Sequence, residues 1–237
     1  MKEYEEYADS GDEYIDDDTD EHVYPPQPVV AKKKKYPKKI WIEKQDFVDL
    51  LKIVDETYEP GGIMWFNLKL LYHVLYWSGL RISEVLELSR KQIVDFINGQ
   101  SIQVVISKTK NTRSLLNTRT IYEKFAYFRE NQHMIAEVGF ANTYGRKLTF
   151  RQAQKWSYPC MYKLQMKKFD KVDNPSKLLI TLHSFRCSYI NRLLRNNVSL
   201  PDVSMIVNHK NVSTTMGYLR SYPDIQRFNN VLENVDF

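Results

Sequence analysis

The strongest constraint on the fold is a long apolar stretch in the first half of the chain. Residues 63 to 77 read IMWFNLKLLYHVLYW and are apolar enough to form a buried helix. The stretch is shorter than the run of about 18 to 20 apolar residues that crosses a bilayer. We find no such run elsewhere in the sequence and no apolar signal-peptide region at its N-terminus. The sequence therefore predicts a soluble, intracellular protein with a buried central helix.

Most of the remaining globular sequence also has helical periodicity. Phe47, Leu50, Leu51 and Val54 are spaced as on one face of a helix. Further helices are predicted around 120–137, 150–170, 183–196, 201–207 and 211–218. These segments predict a domain that is mainly helical.

One stretch departs from this helical pattern. Between residues 93 and 118 the periodicity changes toward strands, and Ile102, Val104 and Ile106 stand at alternate positions. Asn98-Gly99 is the dipeptide typical of a tight hairpin turn, and we expect it to provide that turn here. The predicted fold class is mainly α with a small antiparallel β-sheet (α+β).

The charge of the chain is unevenly distributed. Residues 1–30 contain eleven acidic residues and a single lysine, which gives −10; because the whole chain carries +5, residues 31–237 carry +15. Such a balance fits a polyanionic partner such as nucleic acid, although an ordinary solvated basic surface is equally compatible with it. The lysine-rich segment at 31–39 could contact DNA phosphates, direct nuclear import or serve as a linker. We interpret residues 1–40 as a disordered acidic tail followed by this linker.

The C-terminal segment, residues 223–237, is predicted to be a short amphipathic helix. Phe228, Val231, Leu232 and Val235 stand at offsets 0, 3, 4 and 7, which places them on one face. This apolar face has to be buried against another surface.

The cysteines and histidines give no sign of a metal site. Cys160 and Cys187 lie far apart and form no C-x-x-C pair, and no H-E-x-x-H motif is present. We expect both cysteines to be reduced core residues and the protein to use neither a metal nor another cofactor.

Two segments place cations where they could meet an anion. In SGLRISEVLEL, Arg81 stands between the buried helix and the start of another helix. Its guanidinium either pairs with a carboxylate such as Glu84 or faces a cleft in which it can hold phosphate oxygens. In LHSFRCSYINRLLRNN, His183 and Arg186 are three residues apart and share one face of a helix.

A third segment, VNHKNVSTTMGYLR, places His209 nine residues before Tyr218. Each of the three segments is a weak signal alone, because H-x-x-R occurs often by chance and the chain contains 16 tyrosines. Residues 183–218 taken alone could even form a helix-turn-helix.

In this order and spacing, the three segments closely resemble the catalytic domain of the tyrosine recombinase (phage integrase) family. GLRISEVLEL is similar to the family's first arginine box, HSFR to its H-x-x-R box, and NHKNVSTTMGY to its terminal G-H-x-x-x-x-T-T-x-x-Y motif. The resemblance covers residues 41–222. It departs from the family pattern at Asn208, where a glycine is usual, and at Cys187-Ser188, where His-Thr is usual.

The resemblance implies a role for each matching residue. Arg81, His183, Arg186 and His209 would activate a phosphate, and Tyr218 would be the nucleophile. The family also has a lysine on a β-hairpin, within a pattern similar to VVISKTKNTRSLL; Lys108 aligns best with it, and Lys110 is the alternative. This lysine would be the general acid.

The activity that the resemblance implies is site-specific breakage and rejoining of double-stranded DNA through a 3′-phosphotyrosyl intermediate, without a cofactor. It also implies a homotetramer on DNA, joined through the C-terminal helix. Family members commonly carry an N-terminal core-binding domain, whereas about 40 residues precede the matching segment here. A type IB topoisomerase and a DNA-binding regulator that does not cut are the alternative functions.

Overall fold

The computed structural model describes residues 40–106, 112–169, 179–209 and 211–219. Within these ranges the chain forms ten α-helices, one 3₁₀ turn and one two-stranded sheet. The helices are α1 (Lys44–Thr57), α2 (Ile63–Ser78), α3 (Ile82–Leu86), α4 (Arg90–Ile97), α5 (Arg119–Lys124), α6 (Ala126–Glu130), α7 (Phe150–Lys168), α8 (Leu182–Arg195), α9 (Leu200–Val207) and α10 (Val212–Leu219). The 3₁₀ turn is Gln132–Met134, and the strands are β1 (Ile102–Val105) and β2 (Thr112–Leu115). The predicted fold class is confirmed.

Helix α2 is the buried helix that the sequence predicts. Eleven of its 16 residues are buried, on all sides of the helix. It packs against α1, α7 and α8, while α1 also packs along α7. The helix ends at Gly79, whose φ of +62° is the left-handed conformation that glycine adopts without strain. A Cβ atom at this position would lie 2.2 Å from the ring of Tyr189 on α8, so α2 and α8 approach closely there.

The hairpin turn predicted at Asn98-Gly99 is wrong. Residues 90–97 form helix α4, because Ile93, Phe96 and Ile97 are buried at offsets 0, 3 and 4 and Ser89 caps the helix by accepting a hydrogen bond from the Gln92 amide. Asn98-Gly99 terminates this helix, with Gly99 at φ +88°. The two strands that follow pair antiparallel, with Ile102 opposite Leu115 and Val105 opposite Thr112. The connection between them therefore begins at residue 106, and residues 107–111 lie outside the described ranges.

The other predicted helices are confirmed within a few residues, except that 120–137 is divided into α5, α6 and the 3₁₀ turn. Cys160 and Cys187 are buried and form no disulfide, as predicted. The acidic tail, the lysine-rich linker and the C-terminal stripe lie outside the described residues. Of the helices that are described, none combines the length and the apolar character needed to span a membrane.

The buried apolar residues form two clusters. The larger cluster includes buried residues of α1, α2, α4, α7 and the start of α8. The smaller one lies near the end of the described chain and consists of Cys187, Ile190, Leu194, Val203, Val207 and Tyr218. Helix α8 contributes to both clusters, so it connects the main core to α9 and α10.

Candidate active site

Arg81 is the N-cap residue of α3, two residues after the glycine that ends α2. Its Nη1 donates to Glu84 Oε1 at 2.8 Å, and its backbone amide donates to Glu84 Oε2 at 2.9 Å. The Glu84 side chain is fully buried, whereas that of Arg81 is 29% exposed. Arg81 therefore pairs with Glu84 and also lines a pocket, so the two sequence-based alternatives do not exclude each other, and phosphate binding by Arg81 stays a prediction.

Arg186 lies on the buried side of α8 and is only 2% exposed. Its Nη1 donates to the Gly79 carbonyl at 2.7 Å, and its Nη2 donates to the Val207 carbonyl at 2.5 Å. Burial, reinforced by the nearby Arg81, lowers the pKa of Arg186 to about 10. The guanidinium is therefore still protonated at neutral pH.

His183 is one helical turn before Arg186 and is exposed. Both side chains, together with Arg81, line a pocket with a volume of about 410 Å³. Phe150, the first residue of α7, forms another part of the wall and is 44% exposed. The pocket therefore combines two guanidinium groups and an imidazole with an aromatic side chain that the sequence patterns did not single out.

His209 follows the C-terminal end of α9. Asn208, which ends that helix, has a φ of +54°, and asparagine is the residue after glycine that adopts this left-handed conformation most readily. The departure from the family's glycine therefore preserves the backbone path. The His209 Nδ1 lies 2.9 Å from the hydroxyl oxygen of Thr215 on α10, which connects α9 and α10 beside the site.

Tyr218 is on α10 and is only 2% exposed. Its ring lies nearly parallel to that of His209, with centroids 6.0 Å apart and an angle of 14°. Burial raises the pKa of the Tyr218 hydroxyl well above its usual value, and Cys187 raises it further, whereas Arg186 and Arg81 lower it. In this arrangement the hydroxyl is protonated and the ring is enclosed by the smaller cluster.

The departure at Cys187-Ser188 also has a structural explanation. Cys187 is part of the cluster that encloses Tyr218. The Ser188 hydroxyl accepts a hydrogen bond from the Ile42 amide at 2.6 Å and donates to the Ser184 carbonyl at 2.7 Å. Cys187 therefore contributes to the packing around Tyr218. Ser188 attaches the segment just before α1 to helix α8.

Lys108 and Lys110 both lie outside the described ranges, in the connection between β1 and β2. The described part of the hairpin nevertheless contributes a third arginine, Arg113, which the sequence patterns missed. Its register partner Val104 is buried, so the alternation of β1 could have indicated that Arg113 also faces inward. Arg113 Nη2 lies 3.4 Å from Glu84 Oε2.

The site has an excess of positive charge. Arg81, Arg113 and Arg186 surround one buried carboxylate, that of Glu84, which leaves a local charge of +2. Burial lowers the pKa values of Arg113 and Arg186, and the neighbouring guanidinium groups lower them further. An anion that entered the pocket would relieve this repulsion. Within the described residues, no three histidine, cysteine or acidic side chains are grouped to hold a metal ion.

Comparison with known proteins gives matches at the levels of family, sequence and fold. The model of the Phage integrase family matches residues 41–224. Tyrosine recombinase XerC of Rickettsia prowazekii (strain Madrid E) is 26% identical over 180 residues, which cover 73% of this chain and 54% of that protein. XerC of Rickettsia rickettsii (strain Sheila Smith) is 27% identical over 183 residues, with 73% and 54% covered. The chain spans about half the length of the curated relatives that it matches.

Solved structures share the fold. The XerA recombinase superposes with a TM-score of 0.60 at 14% identity, covering 87% of this chain and 68% of that one. The XerH site-specific recombinase bound to palindromic difH substrate gives a TM-score of 0.59 at 19% identity, covering 83% and 53%. A lambda integrase dimer bound to a COC′ core site gives 0.57 at 13% identity, covering 80% and 50%.

Proposed function

This chain belongs to the phage integrase family of tyrosine recombinases, and from that membership we propose that it breaks and rejoins DNA at specific sites. Residues 41–222 would be the catalytic domain, preceded by the tail and linker of residues 1–40. The proposed substrate is double-stranded DNA, and the proposed site of action is inside the cell. The observation that carries the proposal is the +2 cluster of three arginines around Glu84, beside a pocket lined by Arg81, His183 and Arg186.

The geometry of these residues suits a phosphodiester. Arg81 offers a partly exposed guanidinium whose other contacts fix its orientation, and Arg186, which lines the same pocket, is held by its hydrogen bonds to two backbone carbonyls. A phosphate between the two would accept charge-assisted hydrogen bonds, which strengthen as negative charge builds on the nonbridging oxygens. His209 would add a further hydrogen bond to these oxygens.

The proposed reaction needs no external energy. The Tyr218 oxygen forms a bond to phosphorus while the bond from phosphorus to the 5′ oxygen breaks. His183 helps to remove the phenolic proton, and Lys108 protonates the departing 5′ oxygen. Because the 3′-phosphotyrosine bond conserves the energy of the diester, a 5′-hydroxyl from another strand can reverse the step. Tyr218 is enclosed in the described arrangement, so α10 has to shift before the hydroxyl reaches the phosphate.

We further propose that the active protein is a homotetramer on DNA. The apolar stripe of Phe228, Val231, Leu232 and Val235 would dock on a neighbouring subunit and thereby connect the active sites. Four such side chains, each contributing on the order of 1.5 to 3 kcal/mol when buried, are sufficient for a contact between protomers.

The test uses duplex DNA with a 5′-bridging phosphorothiolate. Its sulfur leaves without being protonated, and the covalent complex accumulates because the released 5′-thiol is a poor nucleophile toward the phosphotyrosine. The wild-type protein should form this complex, and Tyr218→Phe should form none while binding DNA with near wild-type affinity. The substitution removes one oxygen and little volume, so the cost in stability should be about 1 kcal/mol. Tyr144→Phe is the matched control, because Tyr144 is 85% exposed and lies outside the pocket.

The outcomes separate the candidate functions. A covalent complex in the Tyr218→Phe variant would show that another residue is the nucleophile. A wild-type protein that binds DNA but is never captured would favour the regulator. Capture without junction formation between two duplexes would favour the topoisomerase.

A further inference from the structure

We propose that Arg113 is a positioning residue for this reaction, which fixes Glu84 and the end of α9 so that Arg81 and His209 keep their orientation. The proposal rests on the proposed function, since it assigns a task within the same site. Arg113 stands on β2, in neither of the two segments that carry the family's arginines. Its contribution depends on what its guanidinium contacts.

Glu84 is shared between two arginines. Its Oε1 accepts from Arg81 at 2.8 Å, and its Oε2 lies 3.4 Å from Arg113 Nη2. The Glu84 side chain is fully buried and that of Arg113 is 11% exposed, so solvent screens this arrangement weakly. Arg113 therefore limits the positions that Glu84 can adopt, and Glu84 in turn holds the guanidinium of Arg81.

The C-terminal end of α9 is also held by arginine side chains. Three consecutive backbone carbonyls accept from three different arginines: Ile206 from Arg113 at 2.6 Å, Val207 from Arg186 at 2.5 Å, and Asn208 from Arg81 at 3.5 Å. The last carbonyls of a helix lack partners within the helix and carry the negative end of its dipole, so cations are favourable there. His209 is the next residue, and its position follows from how firmly this helix end is held.

Arg113 is not placed to bind the phosphate itself. Its Nη1 and Nη2 contact the Ile206 carbonyl and Glu84, and Arg113 does not line the pocket that Arg81, His183 and Arg186 share. Its planar fork spans a carboxylate and a carbonyl at once, which the single ammonium of lysine cannot do in the same geometry. Removing the fork should therefore disturb orientation while leaving the phosphate-binding groups present.

The experiment measures the rate of covalent capture on the phosphorothiolate duplex at saturating DNA, together with DNA affinity and melting temperature. Arg113→Lys and Arg113→Gln should slow capture by roughly tenfold to a hundredfold, the loss expected when reacting groups are displaced by about 1 Å. Affinity for the duplex should stay within about threefold of wild type. Arg119→Gln is the matched control, because Arg119 is 92% exposed and, among the described residues, its ion pair is with Glu123 on its own helix.

The Arg113→Lys variant distinguishes a positioning role from a purely electrostatic one. It keeps a cation beside Glu84 and should fold even if the glutamine variant does not. Capture by Arg113→Lys at the wild-type rate would overturn the proposal, since charge alone would then suffice. A loss confined to DNA affinity, with a smaller salt dependence, would also overturn it and assign Arg113 to phosphate binding. If the wild-type protein itself forms no covalent complex, the proposed function fails; normal capture by both variants rejects only the positioning role.

Discussion

Arg186 is a buried cation whose hydrogen-bond partners among the described residues are neutral. It donates to the carbonyls of Gly79 and Val207, and neither contact cancels its charge. Burial lowers its pKa to about 10, which leaves the group protonated throughout the neutral range. A buried charge held by carbonyls retains its attraction for an anion, whereas a carboxylate partner would neutralise it. This difference explains why Arg186 suits the proposed phosphate site.

The identity of the general acid is a prediction at the same scale. Lys108→Ala should abolish cleavage of an ordinary duplex, because the 5′ oxygen is a poor leaving group unless it is protonated. The phosphorothiolate duplex should restore capture, since sulfur leaves without a proton. Capture rates on the two substrates provide the measurement, with Lys110→Ala as the control two residues away. If the phosphorothiolate duplex restores capture by Lys110→Ala and not by Lys108→Ala, the general acid would be Lys110.

The residues of the candidate site could be predicted from sequence to an uneven extent. Arg81, His183, Arg186, His209 and Tyr218 lie in short motifs, and the structure brings them to one region of the domain. Arg113 was missed because its contacts depend on the pairing of β1 with β2 and on the position of α9 beside the sheet. The burial of Tyr218 was also missed, because no local pattern gives the packing of α10 on α8.

At the scale of elements, helix α4 shows where local patterns mislead. Asn98-Gly99 fits a hairpin turn as well as it fits the end of a helix, since both require a residue with positive φ. The spacing of Ile93, Phe96 and Ile97 decided the outcome, because it buries one face of a helix. The spacing of three to four residues between apolar side chains, typical of a helix, was present in the sequence. The Asn98-Gly99 dipeptide nevertheless favoured a hairpin turn.

Helix α2 also carries a prediction, through His73. Its ring lies between Phe47 and Phe128, with centroids 5.2 and 4.9 Å away, and its Nδ1 lies 2.7 Å from the Lys69 carbonyl. Because a carbonyl only accepts, the neutral ring carries its proton on Nδ1. Burial lowers the pKa of His73 to about 4, below the value of about 6.5 expected in the unfolded chain.

The unfolded state therefore binds a proton at His73 more readily than the folded state. The stability from this residue is fully present above pH 6.5 and is lost as the pH falls toward 4. Between pH 7 and pH 5 the loss should be about 2 kcal/mol. In urea unfolding at both pH values, His73→Phe should reduce the acid-induced loss by this amount relative to wild type. The exposed His133→Gln is the control, and an unchanged loss in His73→Phe would contradict the shifted pKa.

At the scale of the whole molecule, the proposed tetramer leads to a prediction for residues 223–237. Truncation after Tyr222 should leave the monomer folded and able to bind a single DNA site, since the stripe would lie on a neighbouring subunit. Assembly of two duplexes should weaken by at least tenfold, because each buried apolar side chain contributes more than about 1.4 kcal/mol. Sedimentation of the DNA complexes and the melting temperature of the free protein provide the measurements. An insoluble truncated protein would instead place the stripe in its own core.

The enclosure of Tyr218 has a consequence for how often the protein would cut DNA. Its ring packs in the cluster that joins α8, α9 and α10, so the proposed nucleophile is also part of what keeps these helices together. If α10 has to shift as proposed, the reactive arrangement would be a minor population in equilibrium with the packed one, and its fraction would multiply the intrinsic rate of strand cleavage. Tighter packing around the ring lowers this fraction, and looser packing raises it at a cost in stability. The frequency of the proposed cleavage would thus change through apolar residues alone, while every residue proposed to contact the phosphate stays the same.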